Sequence, residues 1–367
     1  MGPQRWLYGA CALVIALAIA ASAAACGGDG SDPSEAESGP PRSFMMGFSS
    51  LPRELNADAY ADAIEFAADH GDLVLIQRTV PWSDFLPRAQ ISDDTASNTA
   101  SEREAIDKHD LALFFAIDPT DGATGRDRLA GLPVALEGRR FDDPDIRAAF
   151  LSYAEYVALN YKPDYLALGV EMNLYYQKSK DDFENFKTLY AEAYDVVKSA
   201  SPGTQVTVTL QYEDLQGILP REDRHFADWQ LLGAFEPKLD VAAISTYPSF
   251  AFANVQTMPE NYYSQLRAFT DRPIVIAEMG YASRPGDLGV NNGTEAEQSA
   301  FVQRILDEAE SLDMPFVVWF AIWDPAYARD TEYGAFESIG LLRADDTEKP
   351  AWQHWAEAAR RPYRPAS

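Results

Sequence analysis

From Ser43 onward the chain repeats one unit: a short apolar run ending in polar or aromatic residues, then an amphipathic stretch. The runs SFMMGFSS (43–50), DLVLIQRTVPW (72–82), LALFFAID (111–118), DYLALGVEMN (164–173), QVTVTLQYED (205–214), DVAAISTYP (240–248), PIVIAEMG (273–280) and PFVVWFAIWD (315–324) read as eight strands. Helices are expected over 57–71, 101–110, 146–161, 183–200, 226–235, 261–271 and 295–313, with a closing helix over 351–361. The first has Asn56 placed as N-cap and Gly71 as C-cap, with Tyr60, Ala63, Ile64 and Ala67 on one face. Strands that are apolar along their whole length need cover on both faces. Eight of them, each followed by a helix, predict an α/β chain folded as a single (β/α)8 TIM barrel. Two doubly wound domains, as in a solute-binding lipoprotein of a transporter, would require a mid-chain linker, and the sequence has none.

The segment before the barrel has a different character. Arg5, the apolar stretch CALVIALAIAASAAA and Cys26 make residues 1–26 resemble a bacterial lipoprotein signal, too short and small-sided for an ordinary membrane span. Cleavage would leave Cys26 as a lipidated N-terminus, so the chain is expected to be exported and anchored to the extracytoplasmic face of the cell membrane. Residues 27–42, rich in Gly, Ser, Pro and acids, read as a disordered linker, and 43–367 as the folded domain. Cys11 lies inside the signal, so the mature chain keeps one cysteine and no internal disulfide can form. The four histidines have no ligand spacing; no metal and no cofactor is expected. A formal net charge of −27 over 367 residues repels nucleic acid and other polyanions. A neutral ligand suits such a surface, and the protein is expected to act as a monomer.

A barrel collects its functional side chains at the C-terminal ends of its strands. Read in order, those ends offer Arg78 and Trp82, Asp118, Glu171 with Asn173 and then Tyr175, Tyr212, Tyr247, Glu278 with Tyr281, and Trp319 or Trp323. Aromatic faces stack on the C–H faces of pyranoses, while carboxylates and amides hold hydroxyls, so the list suits a carbohydrate substrate. Two apolar strands run into glutamates, Glu171 and Glu278. An unused carboxylate there would be costly. A pair of carboxyl groups is what acetal hydrolysis requires, one to protonate the leaving oxygen and one to attack or to activate water. The structural alternative for Glu278 is an ion pair with Arg78.

YLALGVEMN, DVAAISTYP, PIVIAEMGYAS, VVWFAIWD and SIGLLRADDTEKPAW, in that order, resemble clan A of the glycoside hydrolases. Within the clan the chain is most similar to the arabinogalactan endo-β-1,4-galactanases and related β-glycanase-like families. The resemblance implies a retaining O-glycosyl hydrolase with Glu171 as general acid/base on strand four and Glu278 as nucleophile on strand seven. It further implies that Tyr247 hydrogen-bonds the nucleophile. Arg78, Trp82, Asp118, Asn173, Tyr175, Tyr212, Tyr281, Trp319 and Trp323 are then candidates for substrate binding. The clan carries Asn just before the acid/base, and Val170 stands there instead. Asn173, two positions beyond Glu171, is the expected substitute. A catalytically inactive barrel that binds carbohydrate is the alternative this departure leaves open.

Overall fold

The computed structural model describes residues 39–220, 226–286, 293–331 and 333–365. The lipidation expected at Cys26 falls outside them, as does most of the linker. The strands are β1 (Met45–Ser49), β2 (Leu73–Thr79), β3 (Ala112–Asp118), β4 (Tyr165–Ala167), β5 (Gln205–Thr207), β6 (Thr209–Gln211), β7 (Ala242–Thr246), β8 (Ile274–Met279) and β9 (Phe316–Trp319). All pair in parallel, in the order β5-β4-β3-β2-β1-β9-β8-β7-β6. β5 and β6 are successive halves of one run, split at Val208; the first half pairs with β4 and the second with β7. The ring therefore closes with eight strand positions, the (β/α)8 barrel read from the sequence.

Alternation along the strands separates two apolar layers. Leu73, Leu75, Phe114, Ala116, Ala167, Ala243, Val275, Phe316 and Val318 fill the barrel interior. Met46, Phe48, Val74, Ile76, Phe115, Ile244, Ile276 and Val317 face the surrounding helices. Four of the longer helices, those over Lys180–Ala200 and Pro350–Ala359 being the exceptions, start where a side chain satisfies a free backbone N–H group. Asn56 caps α1 (Ala57–Asp69), and after the single-turn α2 (Trp82–Phe85) Ser92 caps α3 (Asp93–His109). Asp143 caps α4 (Pro144–Asn160), with Pro144 opening the helix. Next come α5 (Met172–Lys178), α6 (Lys180–Ala200) and α7 (Tyr212–Leu215), then α8 (Glu295–Ser311), capped by Thr294, and α9 (Pro350–Ala359).

Three expectations are corrected. The C-cap of α1 is His70, one residue before the expected Gly71, and the helix itself ends at Asp69. Gly71 serves a close approach instead: a Cβ there would meet the Met46 carbonyl oxygen at 2.7 Å. The helices expected over 226–235 and 261–271 are only the 3-10 turns Trp229–Gly233 and Ser264–Ala268. Their aromatic residues pack as plates rather than as a helical stripe, with Trp229 stacked on Phe269 at 4.6 Å.

Candidate active site

Strict alternation would turn Glu278 away from the barrel axis. Val275 and Ala277 face inward and Ile276 outward, so position 278 should point to the helices. The pairing with β7 shows why it does not. Ile244 pairs with Ile276, but the next residue, Ser245, pairs with Glu278. One extra residue in β8 forms a bulge, which resets the parity and re-aims the side chain. Glu278 thereby joins the interior-facing set with only 3% of its surface exposed, and the Tyr247 hydroxyl donates to it. Gly280 completes the arrangement, because a Cβ at this position would meet the Tyr247 ring at 2.9 Å.

Glu171 lies beyond β4 at the head of α5, in a left-handed backbone conformation (φ 49°, ψ 46°). That conformation costs a non-glycine residue about 1–2 kcal/mol. Its N–H donates to Thr209 Oγ1 at 2.8 Å, which helps to hold the turn. The carboxyl is fully buried and accepts from Ser245 Oγ at 2.6 Å and from Arg126 Nε at 3.1 Å. Arg126 Nη1 also donates to Asp118 at 2.7 Å and to Thr120 Oγ1 at 2.9 Å. Burial pushes the carboxyls of both Glu171 and Asp118 up from their usual range, and Arg126 pulls each back.

Arg126 is not a strand-end residue; it lies in the loop DPTDGATGRDRLAG, which begins at the last residue of β3. The segment closes on itself: Asp121 N–H donates to the Arg128 carbonyl at 2.9 Å and Arg126 N–H to the Asp121 carbonyl at 2.8 Å. Gly125 and Arg126 both have positive φ, 77° and 61°. Trp82, offered as a sugar platform, instead anchors this loop, its indole N–H donating to the Ala130 carbonyl at 2.7 Å.

Another buried carboxylate, absent from the strand-end candidates, is Glu213, beside the end of β6. It accepts from Gln211 Nε2 at 2.6 Å, Thr246 Oγ1 at 2.6 Å, Tyr262 Oη at 2.8 Å and the Tyr247 N–H at 3.0 Å. Burial raises its pKa, and the donors oppose the rise. QYED could have flagged it, since the fifth strand ends there.

The remaining candidates are not brought to Glu171 and Glu278. Asn173 has its amide committed: Nδ2 donates to the Gln211 carbonyl at 2.9 Å and to Asp214 at 2.8 Å, and Oδ1 accepts from the Gln211 N–H at 2.7 Å. It holds α5 to β6 and does not replace the asparagine absent at Val170. Arg78 pairs with Glu102, not with Glu278. Tyr175 is buried and donates to Asp182; Tyr212 is buried and donates to the Tyr262 carbonyl. Tyr281 stacks on Phe301 at 5.2 Å. Trp319 donates to the Ile339 carbonyl at 2.9 Å, within the layer beneath α8 and α9. Trp323 donates to Asp346 at 2.7 Å under the Arg53 guanidinium. These rings are core because a barrel of this size needs large side chains between strands and helices, and that need is indistinguishable from a sugar platform in sequence.

No protein-family model and no curated protein matches the chain. Solved structures do. A GH5_18 protein from Bifidobacterium longum, in complex with Manβ1-4GlcNAc, has 17% identity and a TM-score of 0.62 over 88% of this chain and 81% of its own. An exo-β-1,4-mannosidase from Opitutaceae bacterium strain TAV5 has 17% identity and a TM-score of 0.65 over 87% of this chain. This chain spans 60% of that protein's length. A GH53 catalytic domain from Ignisphaera aggregans has 17% identity and a TM-score of 0.57 over 90% of this chain and 99% of its own. At such identity the likeness is one of fold, the single barrel on which these glycoside hydrolases are built.

Proposed function

We propose that the chain is an exported, lipid-anchored glycoside hydrolase that cleaves a neutral β-linked glycan with retention of configuration and acts as a monomer. The observation that carries this reading is the pair of buried glutamates tied to neighbouring residues at the end of β7, Glu171 through Ser245 and Glu278 through Tyr247. Glu171, whose pKa burial raises, protonates the glycosidic oxygen as Glu278 attacks the anomeric carbon. The aglycone leaves and a glycosyl-enzyme remains. Glu171, now ionised, takes a proton from water, which attacks the anomeric carbon and releases the sugar and Glu278. The interior of the two doubly wound domains of a solute-binding protein is incompatible with the single closed ring, so that alternative is set aside.

The test begins with turnover of β-mannosides and β-1,4-galactan, with glucan and arabinan as comparisons. Glu278→Ala should abolish turnover of every substrate. Glu171→Ala should spare nitrophenyl glycosides, whose leaving group needs little protonation, and azide should yield a glycosyl azide of retained configuration. Parental rates in both variants would overturn the assignment.

A second reading, a barrel that binds carbohydrate without cleaving it, is favoured by Val170 and by the commitment of Asn173 to the main chain. Saturable binding of an oligosaccharide by calorimetry, with no product formed, would establish it.

A further inference from the structure

We infer that Asp118, which the sequence offers as a sugar ligand, is instead the fixed counter-ion of Arg126, and that by engaging this cation it keeps Glu171 in the acid form. The inference rests on the reading of Glu171 as the acid. Arg126, Asp118 and Glu171 expose 0%, 1% and 0% of their surface. One guanidinium facing two buried carboxyl groups balances one negative charge, so the other carboxyl retains a proton.

The hydrogen bonds say which. Asp118 Oδ1 accepts from Arg126 Nη1 at 2.7 Å and, more loosely, from Thr120 Oγ1 at 3.3 Å and the Thr120 N–H at 3.4 Å. Its Oδ2 accepts from Gln77 Nε2 at 3.3 Å. Glu171 receives Arg126 Nε at the longer distance of 3.1 Å, together with the single hydroxyl of Ser245. The carboxylate with more donors and the closer cation is the better anion.

The arrangement suits both halves of the cycle. The proton leaves Glu171 for the glycosidic oxygen as the C–O bond breaks. The new carboxylate already has Arg126 Nε beside it, and the proton is recovered from the attacking water. Asp118 touches no reacting atom; it is a positioning residue.

The proton can be observed without turnover. Infrared spectra of the full chain at neutral pH should contain a protonated-carboxyl band that shifts on labelling glutamate with carboxyl 13C and is lost in Glu171→Gln. Asp118→Asn withdraws Asp118 from the Arg126 guanidinium, so more of that charge falls on Glu171 and the same band should disappear there. A band that ignores the glutamate label, or none lost in Glu171→Gln, overturns the inference, and neither result needs Asp118→Asn to fold. A band surviving in folded Asp118→Asn also overturns it. If substrates are turned over, Asp118→Asn should move the alkaline limb of the pH–rate profile down by about 1–3 units. It should also slow poor leaving groups about a hundredfold near neutral pH while sparing nitrophenyl glycosides. Absence of turnover with the band present would sink the hydrolase reading and leave the proton assignment standing.

Discussion

Ser245 and Tyr247 stand two residues apart on the run of β7, and each donates its hydroxyl to a different glutamate: Ser245 Oγ to Glu171 at 2.6 Å, Tyr247 Oη to Glu278. Residues two apart share a face of a strand. One strand therefore orients both carboxyl groups, so a shift of β7 would disturb both at once. Tyr247→Phe should lower kcat about a hundredfold with little change in KM, because the lost donor acts on the charge that changes during reaction. Ser245→Ala should cost about tenfold. Steady-state kinetics on one substrate checks both, and a loss confined to KM would count against the orienting role.

Glu213 is predicted to stabilise the rim behind the site. Glu213→Ala strands the donors from Gln211, Thr246, Tyr262 and the Tyr247 main chain. At about 1–3 kcal/mol for each stranded buried group, partly relieved by water, the loss should reach at least about 3 kcal/mol. Glu213→Gln keeps the shape but replaces one acceptor with a donor, and should fall between Ala and the parent. Urea unfolding gives the comparison; an alanine variant within about 1 kcal/mol of the parent would contradict the account.

Stability should decline from mildly acid to alkaline pH. Burial raises the carboxyls of Asp118, Glu171, Glu213, Glu308 and Asp324. A carboxyl raised on folding binds more protons in the folded state than in the unfolded chain. Its stabilisation is complete below the unfolded value near pH 4 and is lost as pH rises through the folded value. The net charge of −27 adds self-repulsion in the same direction. The thermal midpoint should therefore be higher near about pH 5 than near about pH 8. Arg126→Met should steepen this dependence, costing about 3–5 kcal/mol at neutral pH by leaving two carboxyls without their cation, with part regained in acid. A midpoint rising from acid to alkaline pH in the parent would refute the argument.

Cys26→Ser should release the protein from membranes, since AAACGG would then lack the acylated residue. Equal membrane association of parent and variant in a cell fractionation would dismiss the lipid anchor.

The sequence alone determined the barrel, because continuous apolar strands and amphipathic helices repeat locally and each unit can be read within its own window. It also singled out Glu171, Glu278 and Tyr247, since a polar residue ending an apolar run stands out by the cost of burying it. The tertiary structure alone decided what each side chain meets. The bulge that turns Glu278 inward is a mismatch between two strands, and one strand's sequence carries no trace of its partner's register. Arg126 reaches Glu171 across 45 residues from a loop with no periodicity. Trp82, Tyr175, Tyr212, Tyr281 and Trp319 went to the core because packing density, a property of the whole assembly, places large rings where volume must be filled.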